Sequence, residues 1–156
     1  MKQSRIPVTH AACYTRVSSL SDQTQAADIE HTLAERYPGV PVSWYRENTT
    51  TAKSRPAFDQ MSRDAKAGAF QVVVIWSIDR LGRSMHDSIG DIAGLTAAGV
   101  RVVSCQDSWL DAEGPTFDLM LAIFSRITET ERRRRTERSK LGRAHARANR
   151  KSKEVR

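Results

Sequence analysis

Residues 72–76 read Val-Val-Val-Ile-Trp, five consecutive large apolar side chains, four of them β-branched. A strand points successive side chains to opposite faces, so a run with no polar member is buried on both, as in a parallel strand covered by helices above and below. Strand character recurs over 10–17, 40–45 and 100–105, and the apolar run itself is read over 71–78. The segments between read as helices. Residues 22–36 place Ala26, Ile29, Leu33 and Ala34 at helical spacing, and Pro56 suits the first position of a helix to about Ala67. Ser84 caps a helix reaching Ala98, with Asp87 three residues on in capping-box position and Gly99 as its stop. Strands alternating with helices specify an α/β fold, a mostly parallel sheet flanked by helices.

The end of the chain differs. From 116 to about 148 there is no proline and one glycine, Gly142, which predicts a single helix of about 50 Å at ~1.5 Å per residue. Phe117, Met120, Leu121, Phe124 and Ile127 form an apolar stripe on its first half, suited equally to covering the chain's own sheet or a second subunit. From Arg132 onward the helix is polar and basic. Residues 126–156 hold 13 Lys/Arg against 4 Asp/Glu, a net of +9, which leaves −2 for residues 1–125. A slightly acidic body with a basic arm fits a nucleic-acid partner, because the arm can follow a phosphate backbone; a solvated helix with a basic end is the plainer alternative. No apolar run approaches the ~20 residues of a membrane span, and the first nine residues lack the apolar stretch of a signal peptide, so a cytoplasmic protein is expected. Cys13 and Cys105 fall in apolar strand-like runs without metal-ligand spacing and read as buried thiols.

The chemistry is concentrated where strands end. Tyr14, Arg16 and Ser18 alternate onto one face of the first strand. A guanidinium does not lose its charge, so Arg16 near a core needs an anionic partner, and a phosphate beside the Ser18 hydroxyl would serve. Ligands of open α/β sheets bind beyond the carboxyl ends of the strands. The second strand delivers Glu47 there, and the third delivers residues 77–84, Ser-Ile-Asp-Arg-Leu-Gly-Arg-Ser, in which Arg80 and Arg83 are expected on one side of a helical turn. Each residue has a mundane reading: Ser18 in a turn, Asp79 and Arg80 as a structural ion pair, Ser84 as a cap, Arg55 as an exposed loop residue. Their joint occurrence outweighs these. His10, His31, His86 and His145 fall outside the pattern, so a Ser-His-Asp triad has no support. Glu47, Asp79, Asp107, Asp111 and Glu113 offer carboxylates for a metal-dependent nuclease, a weaker reading because metal sites rarely need so many arginines.

The motifs Tyr14-Thr15-Arg16-Val17-Ser18-Ser19, Asp22-Gln23, Arg55-Pro56, residues 76–84, Glu129-Thr130-Glu131-Arg132 and Glu137-Arg138 resemble, in order, those of the serine recombinases, the resolvase and DNA invertase family. The resemblance spans about residues 10–148. It implies a resolvase-like fold with a long C-terminal helix, and an enzyme in which Ser18 attacks a DNA phosphodiester, forms a covalent 5′-phosphoserine link and frees a 3′-hydroxyl. By motif, Arg16, Arg80, Arg83 and Arg55 would contact the phosphate, Asp79 would orient them or assist proton transfer, Gln23 would help position Ser18, and Tyr14 belongs to the same motif. Glu131 and Arg132 match the family's long-helix pair. Glu47 stands where an aspartate is usual. The resemblance implies no metal or cofactor, double-stranded DNA as partner, a homodimer that pairs into a tetramer, and a bacterial, phage or mobile-element source. DNA contact is expected from Arg132, Arg133, Arg134, Arg135, Arg138, Lys140, Arg143 and Arg147. The expected layout is a catalytic core over 1–113, a dimerisation and DNA-contact helix over 114–148 and a basic tail over 149–156. Only eight residues follow Ala148, too few for a three-helix reader, so a separate DNA-binding domain is expected to be absent. A non-catalytic DNA-binding or dimerisation regulator with this fold is the alternative.

Overall fold

The computed structural model describes residues 7–17, 22–48, 54–111, 117–127, 129–130, 133–134 and 136–138. Four strands, β1 (Ala11–Val17), β2 (Val42–Asn48), β3 (Val72–Ile75) and β4 (Arg101–Ser104), pair in parallel in the order β2-β1-β3-β4. The helices are α1 (Asp22–Arg36), α2 (Pro56–Lys66), the single turn α3 (Ile78–Leu81), α4 (Met85–Ala97) and α5 over 117–127; Ser108–Asp111 is a short 3-10 turn.

Alternation on the strands divides the interior in two. Ala11, Cys13, Val72, Val74 and Val103 face Ile29 and Leu33 of α1. Ala12, Tyr14, Val73, Ile75 and Val102 face the other way, onto Phe58, Met61, Ile89, Ile92 and Leu95 of α2 and α4. All four residues of β3 are buried, as the apolar run requires. The α/β fold and the parallel sheet expected from the sequence are both present.

Element ends show where local pattern yields to pairing. β2 runs to Asn48 rather than Tyr45, because its backbone stays in register with β1 from Ala11↔Val42 to Val17↔Asn48 and carries polar residues along. β3 stops at Ile75 rather than 78, since the Ile78 amide turns to the Asp107 carboxylate at 2.8 Å and opens α3. Ser84 caps α4 as expected, accepting from the Asp87 amide at 3.1 Å, and Gly99 at φ +82° follows its last turn. Of the stripe on α5, Phe117, Leu121 and Phe124 pack against the α2/α4-side core, with Phe124 stacked on Trp109 at 4.8 Å. Ile127 instead shares an exposed row with Leu119 and Ile123, the three at 49%, 61% and 43% exposure. No helix among the described residues is long and apolar enough to cross a membrane.

Candidate active site

The carboxyl ends of β1 and β3 sit side by side, and the chain leaving β3 folds into α3 directly beyond them. Arg16, on the Tyr14 face of β1, donates from Nη1 to the Gly82 carbonyl at 2.9 Å and from Nη2 to the Asp79 carbonyl at 3.2 Å. From the residue before α2, Arg55 donates from Nη1 to the Leu81 carbonyl at 3.1 Å. Two arginines about 40 residues apart in sequence thus attach to backbone oxygens of one four-residue segment, 79–82, which itself carries Arg80 and ends against Arg83.

That segment is held from below. Gly82 donates its amide to the buried Ser88 hydroxyl at 2.9 Å, and a Cβ at position 82 would lie 2.5 Å from the Ser88 nitrogen, so only glycine permits this approach to α4. Asp107 accepts from both the Ile78 amide and the Ser104 hydroxyl at 2.8 Å, tying the loop after β4 to the start of α3. Asp79 accepts from the Ser77 hydroxyl and lies 3.6 Å from Arg80 Nε. The Arg80 guanidinium sits 5.9 Å from the centre of the Trp76 ring, and Trp76 in turn donates to Asp28 of α1 at 2.8 Å. Arg80 Nε is buried and has no hydrogen-bond acceptor among the described residues.

Arg80 and Arg83 do not share a helical turn. α3 ends at Leu81, and Gly82 is extended at φ −106°, ψ −178°, which carries Arg83 onward to an exposed position. Arg55 is not an exposed loop residue: its side chain is 16% exposed and forms a two-point ion pair with Asp91. Glu47 is 3% exposed and accepts from the amides of Ala57 and Phe58 at 3.0 and 3.2 Å, so it anchors the first turn of α2. Tyr14 is buried at 2% exposure, its ring edge-on to Phe58 at 5.7 Å and its hydroxyl without a hydrogen-bond partner among the described residues. Burial, then the Glu47 charge, push the Tyr14 hydroxyl up to about 12, against the opposing pull of Arg55 and Arg16.

Ser18 lies outside the described residues, as do Glu131, Arg132, Arg135, Lys140, Arg143, Arg147, Asp111's side chain, Glu113 and the tail 149–156. Gln23 falls within the first turn of α1 by its backbone. Arg133, Arg134 and Arg138 are helical and exposed. Among the described residues no three His, Cys, Asp or Glu side chains come together to hold a metal ion. A hollow of about 340 Å³ lined by Pro7, Val8, Arg36, Tyr37, Val40 and Arg101 opens at the opposite edge of the sheet, away from Arg16, Arg55 and Arg80. Sequence reasoning missed Asp91; its signal was a carboxylate at the margin of a helix face otherwise made of Ser88, Ile89, Ile92 and Leu95.

The family model described as Resolvase, N terminal domain matches residues 11–152. Over 106 residues the chain is 35% identical to the transposon Tn552 DNA-invertase BinR of Staphylococcus aureus, covering 67% of this chain and 54% of that protein. It is 27% identical over 136 residues to the serine recombinase PinR of Escherichia coli (strain K12), covering 86% of this chain and 68% of that one. The chain therefore spans about half the length of BinR. The N-terminal catalytic domain of TP901-1 integrase superposes with a TM-score of 0.65 at 26% identity, over 80% of this chain and 97% of that domain. A resolvase family site-specific recombinase from Streptococcus pneumoniae shares the fold at a TM-score of 0.68 and 21% identity, over 85% of this chain and 94% of that one. With the family model matching nearly the whole sequence and the arginine-bearing loops gathered at the carboxyl edge of a parallel sheet, the chain belongs to the resolvase family.

Proposed function

We propose that this chain is the catalytic unit of a site-specific DNA recombinase that cuts and rejoins strands through Ser18. The observation that carries this reading is the attachment of Arg16 and Arg55 to adjacent carbonyls of the 79–82 segment, which bears Arg80 and leads into Arg83. The Ser18 oxygen attacks phosphorus and gives up its proton, the bond from phosphorus to the 3′ oxygen breaks, and that oxygen takes a proton. The product is a 5′-phosphoserine and a free 3′-hydroxyl; rejoining reverses the step on a new partner end. Charge builds on the non-bridging oxygens during attack, so guanidiniums already fixed there stabilise the transition state more than the ground state. Asp79, beside Arg80, orients that cation or assists the leaving oxygen. Gln23 helps position Ser18, and Tyr14 belongs to the same site on the β1 face that carries Arg16.

DNA is the substrate, and the exposed Arg133, Arg134 and Arg138 together with the basic residues that follow meet its phosphates in the cytoplasm of a bacterium. The core over 1–113 performs the chemistry; the helix over 114–148 joins subunits and contacts DNA, and 149–156 adds a basic tail. The exposed row Leu119, Ile123 and Ile127 supports joining to a second copy, with pairs of dimers exchanging strands. Sedimentation tests this: Leu119→Glu with Ile123→Glu is expected to move the chain to monomer, and an unchanged mass would remove the row from the interface.

The cleavage itself is tested with a pool of nicked duplexes of randomised central sequence, in chelator, resolved on a denaturing gel. A protein-DNA adduct formed by the wild type and absent from Ser18→Ala is expected. Cleavage that needs Mg²⁺ and persists in Ser18→Ala would favour the metal-dependent nuclease instead.

A further inference from the structure

α4 packs its buried face, Ser88, Ile89, Ile92 and Leu95, toward the sheet, and Asp91 sits at the margin of that face with its side chain 15% exposed. A carboxylate there is costly unless paired and hydrogen-bonded. Its partner is Arg55, 36 residues earlier, at the residue before α2. Asp91 Oδ2 accepts from Arg55 Nη1 at 2.6 Å and Oδ1 accepts from Nη2 at 3.1 Å, so the contact is two-pronged and sets the guanidinium plane. The second proton of Nη1 serves the Leu81 carbonyl at 3.1 Å, and the guanidinium carbon lies 4.1 Å from the centre of the Phe58 ring. The hydrogen bond that Arg55 donates to Asp91 raises the Arg55 pKa further, which keeps the cation charged.

These contacts hold the cation at its end, at one side and on one face. A guanidinium has five N–H donors, and among the described residues the three bonds leave unused the edge formed by Nε and the outer proton of Nη2. That edge is a second fork of the same spacing, suited to two oxygens of one phosphate. It belongs to a side chain already tied to the carbonyl next to the one that Arg16 uses.

We propose that Asp91 is a positioning residue for strand cleavage, fixing Arg55 so that its Nε/Nη2 edge is presented to the scissile phosphate. The inference rests on the recombinase reading above. Asp91 never touches DNA; it acts by sparing Arg55 the reorientation that a loose side chain would undergo at the moment of reaction, and misplacement by about 1 Å costs on the order of 10²-fold in rate.

The experiment compares wild type, Asp91→Ala and Arg55→Ala on nicked duplexes with an ordinary phosphate or a neutral methylphosphonate at the cut position. First, the wild type must give a Ser18-dependent adduct on the ordinary duplex; if it does not, the recombinase reading falls and this inference with it. Given that adduct, Asp91→Ala is expected to slow its formation about 10- to 100-fold while duplex affinity stays within about twofold. The loss should shrink on methylphosphonate in both variants, since only one non-bridging oxygen remains there for the two-pronged Nε/Nη2 edge and the reacting group carries one negative charge less. An unchanged or faster rate in Asp91→Ala, or an equal loss on both duplexes, overturns the positioning role and leaves the recombinase reading standing. Arginine side-chain nitrogen resonances give a readout apart from activity: restricted rotation of the Arg55 guanidinium in wild type and its release in Asp91→Ala are expected, and free rotation in wild type overturns the clamp.

Discussion

At the amino edge of the sheet the chain enters β2, β3 and β4 through turns containing Gly39, Gly68 and Gly99, at φ +75°, +75° and +82°; no other described residue has positive φ. At the carboxyl edge the described segments after β2 and β3 are braced by charged side chains: Arg16 and Arg55 on carbonyls of 79–82, Glu47 on the amides of α2, Asp107 on the amide of Ile78. The amino edge is closed by backbone conformation, aided by the Gln71 side chain, which accepts from the amides of Thr9 and His10. The bonds that close this edge are made by backbone and a neutral amide. The carboxyl edge does the same structural work with guanidiniums, whose several donors let one group hold the fold and face an anion together.

The largest expected consequence separates the edges by activity. Arg16→Ala should lower adduct formation by roughly 10²- to 10³-fold, the scale for losing one donor to a developing oxyanion, as read from single-turnover adduct yields. A loss confined to stability would place Arg16 with the amino-edge type of brace. An intermediate effect comes from pH. Tyr14 is held up to about 12 in the fold against an ordinary 10, so the folded state keeps a proton that the unfolded chain releases. Its contribution is complete below pH 10 and is lost as pH rises from 10 to 12, on the order of 2 kcal/mol. Burial also pushes the Cys13 thiol up to about 12, which adds a decline beginning near pH 9. Urea unfolding of wild type and Tyr14→Phe across this window should show the steeper fall in wild type; parallel curves would contradict the assignment. The smallest effect belongs to the amino edge, where Gly99→Ala should cost about 1 kcal/mol in the same assay and leave cleavage per folded molecule unchanged.

Much of this was readable beforehand, for identifiable reasons. β3 announced its double burial through an unbroken β-branched run, α4 through Ser84 and Gly99, and the site through an arginine that a buried strand face would not otherwise tolerate. What escaped were properties of pairing. The polar end of β2 is a strand because β1 continues beside it, not because Arg46, Glu47 and Asn48 favour one. Glu47 looked like a site carboxylate because its partners, two backbone amides, leave no mark in sequence. Arg80 and Arg83 looked like neighbours on a helix because the helix's end at Leu81 depends on how closely Gly82 meets Ser88. Asp91 was passed over because its partner lies 36 residues earlier, before α2.

The oxygens of segment 79–82 that receive Arg16 and Arg55 are main-chain atoms of residues 79, 81 and 82. Mutation replaces side chains, so these acceptors persist whatever amino acid a lineage places at 79 or 81. Inherited variation can disturb them only by bending the chain, and the place where a single added carbon would do so is Gly82. The arginine geometry is thereby shielded from most drift within that segment, where its vulnerability is concentrated at one hydrogen atom of Gly82; outside the segment, the Arg55 plane still depends on the Asp91 side chain.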